Sequence, residues 1–128
     1  MSEQRPPDIE IYVKSCSVNQ LEQWLESCGS SLQPILSQGA AHEYKLTTNQ
    51  VDITVLIHEK VAGKAWTSVW FKSDKTPWMN DLECARQATA ALNTQIRCIA
   101  GGWSEGDDPD EWWKLEKGEE ELIKWLTN

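Results

Sequence analysis

Alternating apolar and polar positions predict a set of β-strands. The clearest is residues 8–14, where Ile9, Ile11 and Val13 fall on one face and polar side chains on the other. Four further strands are predicted at about residues 42–47, 51–59, 65–72 and 95–100. Short turns separate the middle three, which is typical of an antiparallel meander.

Apolar residues at helical spacing predict two helices. The first begins at a capping box, with Ser17 as N-cap and Gln20 three residues later, and Gly29 stands where a C-terminal cap is expected. The second runs over 81–92 and is rich in alanine, so it can lie close against a sheet. Residues 30–40, which contain a proline and a glycine, are predicted to be a turn-rich connector.

The resulting order, β-α-β-β-β-α-β, predicts an α+β fold with an antiparallel sheet and both helices on one face. A ferredoxin-like variant with one additional strand fits this order. A length of 128 residues suits a single domain, 1–128. Within it we expect a flexible N-terminus, 1–7, and an acidic, tryptophan-rich C-terminal segment, 101–128, packed on the domain.

The C-terminal segment carries its own helix signals. Asp108 followed by a proline is a favourable helix start. Glu119 is predicted to open a short terminal helix in which Leu122 and Trp125 share a face. Residues 112–117 fit a helix or a strand equally well.

The C-terminal segment also concentrates the negative charge of the chain and several of its tryptophans. The chain holds 8 Trp and has a net charge of −8. Nine acidic residues and two lysines stand between Glu105 and Glu121, so this stretch alone has a net charge of −7. A field of that sign repels nucleic acid and anionic membranes and favours a basic partner.

Cellular location and metal content are predicted from simple patterns. The N-terminus has no basic stretch followed by an apolar one, and no run approaches the ~20 apolar residues of a membrane span. A cytoplasmic protein with four free thiols is therefore expected. The cysteines contain no C-x-x-C pair, so neither a metal nor a cofactor is predicted. Cys16 and Cys84 lie near helix starts, where a thiol can be activated.

No catalytic set is recognisable. The phosphate-binding glycine patterns and the G-x-S-x-G motif are absent. His58 on the polar side of its strand could act as a general base, and His42 lies near a loop. An enzyme is therefore the less favoured class, and no catalytic residue is assigned.

The leading hypothesis is a small acidic, non-catalytic binding protein of the immunity, inhibitor or antitoxin type that engages a basic protein partner. Tryptophans would anchor the interface, and carboxylates would steer the partner. The predicted partner-binding residues are Trp103, Glu105, Asp107, Asp110, Glu111, Trp112 and Trp113.

Three other hypotheses remain open. The chain could be a small-ligand-binding domain or a small enzyme with a pocket between sheet and C-terminal segment, using His58, Cys84 or an acid of that segment. It could be a subunit that associates through an exposed strand edge. Trp103, Trp112 and Trp113, flanked by carboxylates, could also form an aromatic cage for a quaternary or methylated cation. The sequence leaves the oligomeric state open.

Overall fold

One antiparallel sheet of eight strands, with two helices, forms the part of the chain described by this computed structural model, residues 8–100 and 111–125. The strands lie in the order β2-β3-β4-β5-β1-β6-β7-β8. The elements are β1 Ile9–Lys14, α1 Val18–Ser27, β2 Ser31–Gln38, β3 Ala41–Thr48, β4 Val51–Glu59, β5 Trp66–Phe71, α2 Asp81–Leu92, β6 Ile96–Ile99, β7 Glu111–Glu116 and β8 Glu119–Lys124. The prediction of an α+β protein with an antiparallel sheet and two helices is confirmed.

The prediction of a connector at 30–40 is wrong, because β2 pairs with β3 over residues 31–38. This strand lies at the sheet edge and is exposed along almost its whole length. It therefore lacks the apolar alternation of a half-buried strand. Pro34 stands beside a break in the register, which an edge strand tolerates because one side of it makes no ladder hydrogen bonds.

The predicted terminal helix at Glu119 is also wrong, because β7 and β8 form a hairpin. Its two-residue turn, Lys117 and Gly118, has positive φ angles of 54° and 80°, the backbone that tight hairpins need. Residues 112–117 thus belong to a strand and its turn. The helix start predicted at Asp108 lies outside the described residues. These two strands and β2 bring the predicted five strands to eight, so the predicted element order was incomplete.

The cap of α1 follows the prediction. The Gln20 N–H donates to Ser17 Oγ at 3.1 Å, and the Ser17 N–H donates to Gln20 Oε1 at 2.9 Å. Gly29 comes after the C-cap residue Cys28, and a Cβ at Gly29 would collide with the carbonyl oxygen of Thr47. The glycine therefore lets the chain leave α1 in close contact with β3.

Both helices pack against one face of the sheet, which we call the helix side. Leu21, Trp24 and Leu25 of α1 and Cys84, Ala85 and Ala88 of α2 are buried there against the odd-numbered residues of β1. Trp24 stacks on Trp78 with ring centroids 6.0 Å apart. Neither helix in the described ranges is long and apolar enough to cross a membrane.

Candidate functional site

The opposite face of the sheet, the helix-free face, carries a cluster of aromatic side chains. Successive strand residues point to opposite faces, so the even-numbered residues of β1, β5 and β7 lie on this one. The aromatic cluster comprises Tyr12, Trp66, Trp112 and Trp125. Neighbouring ring centroids are 4.9 to 5.5 Å apart, and most pairs meet edge to face.

Arg97 lies inside the aromatic cluster. Its Cζ is 4.7 Å from the Trp66 ring centroid and 4.5 Å from that of Trp125. Its Nε–H donates to Gln95 Oε1 at 2.8 Å. Burial lowers the pKa of this guanidinium, and the nearby Glu116 carboxylate opposes that change. The Trp66 and Trp125 centroids are only 4.9 Å apart, so the guanidinium lies beside this ring pair and makes a cation–π contact with each indole. The protein thus supplies its own cation to these two rings.

The contacts of Arg97 and the directions of the tryptophans bear on the predicted cation cage. Trp112 and Trp113 are adjacent in β7, and they pair with Ile123 and Leu122. They therefore point to opposite faces, and Trp113 packs against the helix-side core. The prediction of a cage that contains both Trp112 and Trp113 is therefore wrong. Trp112 belongs to the helix-free face, where the Arg97 guanidinium already contacts the Trp66 and Trp125 indoles.

The β7–β8 hairpin carries the acidic residues of the C-terminal segment that the structure describes. Glu120 accepts two hydrogen bonds from Arg86 of α2, at 2.7 and 3.1 Å. Glu121 lies 3.5 Å from Lys114. A depression of about 240 Å³ lies at the turn of the hairpin. Two lysines and four glutamates line it: Lys114, Lys117, Glu116, Glu119, Glu120 and Glu121. Part of the hairpin's negative charge is thus paired within the protein.

A second acidic group lies at the start of β1. Asp8 accepts a hydrogen bond from the Trp70 indole N–H at 2.8 Å. The Asp81 carboxyl, at the start of α2, is only 8 % exposed, and its Oδ1 has no hydrogen-bond partner. Burial raises the pKa of Asp81 to about 7; a backbone hydrogen bond from Glu10 opposes this, and the charges of Asp8 and Glu10 add to it. Burial and the charge of Asp8 also raise the pKa of Glu10.

A third polar arrangement joins the β2–β3 hairpin to β4. His42 Nδ1 lies 3.0 Å from Ser37 Oγ, and His42 Nε2 lies 2.9 Å from Glu59 Oε2. With the ring proton on Nε2, the imidazole donates to Glu59 and accepts from the Ser37 hydroxyl. This is the hydrogen-bond order of a nucleophile, a base and an orienting carboxylate.

The remaining predicted chemical residues are dispersed. Cys84 is buried in the core, and burial raises the pKa of its thiol well above the ordinary value; burial also raises the pKa of Cys16. The helix starts therefore do not activate these thiols. His58 is exposed on the helix-free face. In the described ranges, no group of three or more His, Cys, Asp or Glu could hold a metal ion.

Only part of the predicted partner-binding set can be placed. Trp103, Glu105, Asp107 and Asp110 lie outside the described residues. Glu111 begins β7 and is half-buried, opposite Lys124 of β8. Trp112 lies on the helix-free face, where it is only 8 % exposed.

Sequence reasoning missed the other members of the aromatic cluster. Three of them stand in predicted strands on the face opposite the main apolar residues: Tyr12, Trp66 and Arg97. Aromatic residues on that face are the sequence signal that the second face of a sheet is also packed. That signal becomes readable only when strand order is known. The order brings β1 beside β5 and β6 and thereby joins these residues to the C-terminal hairpin.

The chain shows no significant similarity to any protein-family model, curated protein or solved structure.

Proposed function

We propose that this chain is a small acidic, cytoplasmic, non-catalytic binding protein of the immunity, inhibitor or antitoxin type, and that it engages a basic protein partner. The binding surface combines the helix-free face with the acidic C-terminal segment. Trp112 and Glu111 remain in the predicted set, together with Trp103, Glu105, Asp107 and Asp110. Trp113 leaves it, because its side chain packs toward the core.

The aromatic cluster carries this proposal. Tryptophan, tyrosine and arginine are the residue types enriched at the energetic centres of protein interfaces. Here four rings and one arginine are gathered on a face that no helix of the described residues covers. Tyr12, Arg97 and Trp125 are partly exposed, whereas Trp66 and Trp112 are each 8 % exposed and support them. A rigid set of rings loses little conformational entropy on binding, because the rings already hold each other in place.

Charge supports a basic partner in particular. The stretch from Glu105 to Glu121 has a net charge of −7, and it contains the strand that carries Trp112. Complementary charge raises the rate of encounter and disfavours acidic competitors. It also repels nucleic acid, so we propose no direct nucleic-acid contact.

Affinity capture from the native host tests the proposal. The tagged full chain is expected to retain a basic protein, and the complex should weaken as salt rises because salt screens the charges. Reversing Asp107, Asp110 and Glu111 to Lys should abolish retention. A matched variant reverses three exposed acids elsewhere, Glu26, Asp74 and Glu83, and should retain the partner.

Two results would contradict the proposal: retention of the same protein by the Asp107, Asp110 and Glu111 variant, or equal loss in the matched variant. Circular dichroism of each variant checks that the fold is intact. Equal loss would mean that total charge, rather than this surface, controls capture.

A small hydrolase is the second candidate, and the Ser37–His42–Glu59 arrangement favours it. In a hydrolase of this kind, Ser37 Oγ would attack an ester carbonyl, while His42 takes the hydroxyl proton and passes it to the leaving alcohol; water would then release the acyl group. A fluorophosphonate probe tests this directly. Labelling that disappears in Ser37→Ala and in His42→Gln would support a hydrolase, and an unlabelled wild-type chain would exclude this site.

A ferredoxin-like core is the finer fold proposal. It is supported by the order β4-β5-β1-β6, with α1 following β1 and α2 following β5. The pairs β2–β3 and β7–β8 would then be additions at the two edges of that core.

A further inference from the structure

One guanidinium on the helix-free face is held in place by its neighbours. The Arg97 Cζ lies 4.7 Å from the Trp66 ring centroid and 4.5 Å from that of Trp125. Its Nε–H donates to Gln95 Oε1 at 2.8 Å. Gln95 is itself buried, and its Nε2 donates to Glu116 Oε1 at 3.3 Å. Two rings and a hydrogen-bonded amide therefore fix the orientation of the guanidinium before any ligand binds.

The terminal amino groups of Arg97 are the unused part of this arrangement. A guanidinium has five N–H donors, and within residues 8–100 and 111–125 only the Nε–H of Arg97 makes a hydrogen bond. Arg97 is partly exposed and makes no ion pair in these ranges, although the chain has 20 acidic and 12 basic residues. Arg86 shows the contrast, because its Nε and Nη2 both donate to Glu120. Arg97 thus keeps Nη1 and Nη2 available to a ligand.

The neighbouring strands make this part of the helix-free face positive. Arg97 pairs directly with Lys114 of β7 on one side and with Tyr12 of β1 on the other. Lys14 stands two residues after Tyr12, so it lies on the same face. Lys114 has Glu121 at 3.5 Å, whereas Lys14 makes no ion pair in the described part of the chain. A ligand that reaches Arg97 therefore meets further positive charge, and the complementary charge is negative.

Among anions, a carboxylate suits this position best. The planar fork of a guanidinium matches the two oxygens of a carboxylate, which accept two parallel hydrogen bonds. Phosphate fits the fork as well, but the chain has a net charge of −8, and this field repels a dianion more strongly than a monoanion. The aromatic cluster beside Arg97 also supplies the residue types that protein interfaces bury at their centres.

We propose that Arg97 binds an aspartate or glutamate side chain of the protein partner, donating to it from Nη1 and Nη2. This inference rests on the proposed function and names the residue type of the partner that meets the aromatic cluster. A basic protein also carries acidic residues, so the interface has two parts of opposite charge. The acidic C-terminal segment faces basic residues of the partner, and Arg97 receives one acidic residue. Contacts of opposite sign at two places fix the orientation of docking.

Titration of the ¹⁵N-labelled full chain with N-acetyl-glutamate methylamide, at constant ionic strength, tests the proposal. The Nε–H signal of Arg97 and the indole signals of Trp66 and Trp125 should shift and saturate. The glutamine analogue has nearly the same shape without the charge and should leave these signals unchanged, as should sodium chloride. The Nε–H signal of Arg86 is an internal control, because this group already donates to Glu120 and should not respond.

A conservative variant separates the fork from the charge. Arg97→Lys keeps the positive charge and removes the planar fork, so the dissociation constant of the glutamate probe should rise about tenfold or more. Arg86→Lys makes the same change at an exposed position of α2 and should leave binding unchanged. Circular dichroism of both variants checks that the fold is intact.

The proposal is overturned if the glutamate probe gives no saturating shift, if the glutamine analogue or chloride shifts the same signals, or if both lysine variants weaken binding equally. Tighter binding of inorganic phosphate than of the glutamate probe would also overturn it. Should Arg97→Lys fail to fold, the comparison of glutamate with glutamine on the wild-type chain still decides. Glutamate binding without capture of any basic protein would retain the site and reject the proposed function. Capture that Arg97→Lys does not weaken would retain the function and reject the site.

Discussion

Asp81→Asn should stabilise the protein, and the gain should grow with pH. The pKa of Asp81 is raised from 3.8 to about 7 in the folded protein, chiefly by burial. The folded state therefore favours the neutral carboxyl. The contribution of this group to the free energy of unfolding of the wild type is fully present below pH 3.8. It decreases as the pH rises from 3.8 to about 7, and it does not decrease further above pH 7. Asparagine is neutral throughout, so it avoids this loss.

The magnitude follows from the size of the shift. At 1.36 kcal/mol per pKa unit, the full penalty in the wild type is about 4 kcal/mol above pH 7. The substitution also removes a negative charge from a helix start, which costs roughly 0.3–1 kcal/mol. Asparagine keeps an acceptor for the Glu10 backbone N–H. We therefore expect a net gain of about 3 kcal/mol at pH 8 and roughly 1 kcal/mol at pH 5.

Urea unfolding at pH 5, 6, 7 and 8, followed by circular dichroism, measures this gain. Glu26→Gln is the matched control, because it removes one charge from an exposed position of α1. Its effect should stay within about 0.5 kcal/mol at every pH. A gain for Asp81→Asn that is the same at pH 5 and pH 8 would refute the reasoning, since it would show that ionisation of Asp81 carries no penalty. A loss of stability at pH 8 would refute it as well.

Three further substitutions test the packing and the caps. Ser17→Ala should lower the free energy of unfolding by about 1 kcal/mol in urea melts, because it removes the acceptor of the capping box; Ser31→Ala, at an exposed position of β2, controls for the loss of a hydroxyl. Gly29→Ala should cost about 1–3 kcal/mol, because the new Cβ meets the Thr47 carbonyl, and an unchanged thermal midpoint would contradict that close approach. Arg97→Ala should cost about 1–2 kcal/mol and change the tryptophan fluorescence; a variant with wild-type emission would show that the cation does not contact the indoles.

Local signals predicted the central part of the fold. The strand of residues 8–14 and the capping box at Ser17 depend on neighbours only a few residues away, so period and cap chemistry suffice to find them. The Ala-rich helix over 81–92 was found for the same reason.

The missed elements depend on contacts between distant parts of the chain. β2 is an exposed edge strand that β3 holds by backbone hydrogen bonds, and such bonds leave no side-chain pattern. In β8, three consecutive glutamates favour a helix locally, yet the tight turn at Gly118 brings this stretch back along β7. Pairing across the sheet outweighs local propensity there.

The candidate site was only partly accessible from sequence. Clustering of charge and tryptophan directed attention to the C-terminal segment, and Trp112 does lie on the helix-free face. The other rings come from β1 and β5, and their proximity follows from strand order rather than from spacing. Asp81 begins the predicted helix, and its burial to 8 % exposure depends on tertiary packing that no local pattern reveals.

The indole N–H signals of the tryptophans test the central claim most directly, because the described tryptophans are divided between the two faces. When the captured basic partner is added to the ¹⁵N-labelled chain, the signals of Trp66, Trp70, Trp112 and Trp125 should shift, and those of Trp24 and Trp78 in the helix-side core should not. Shifts confined to the core indoles, or a complex that leaves the helix-free indoles unchanged, would contradict binding through the helix-free face.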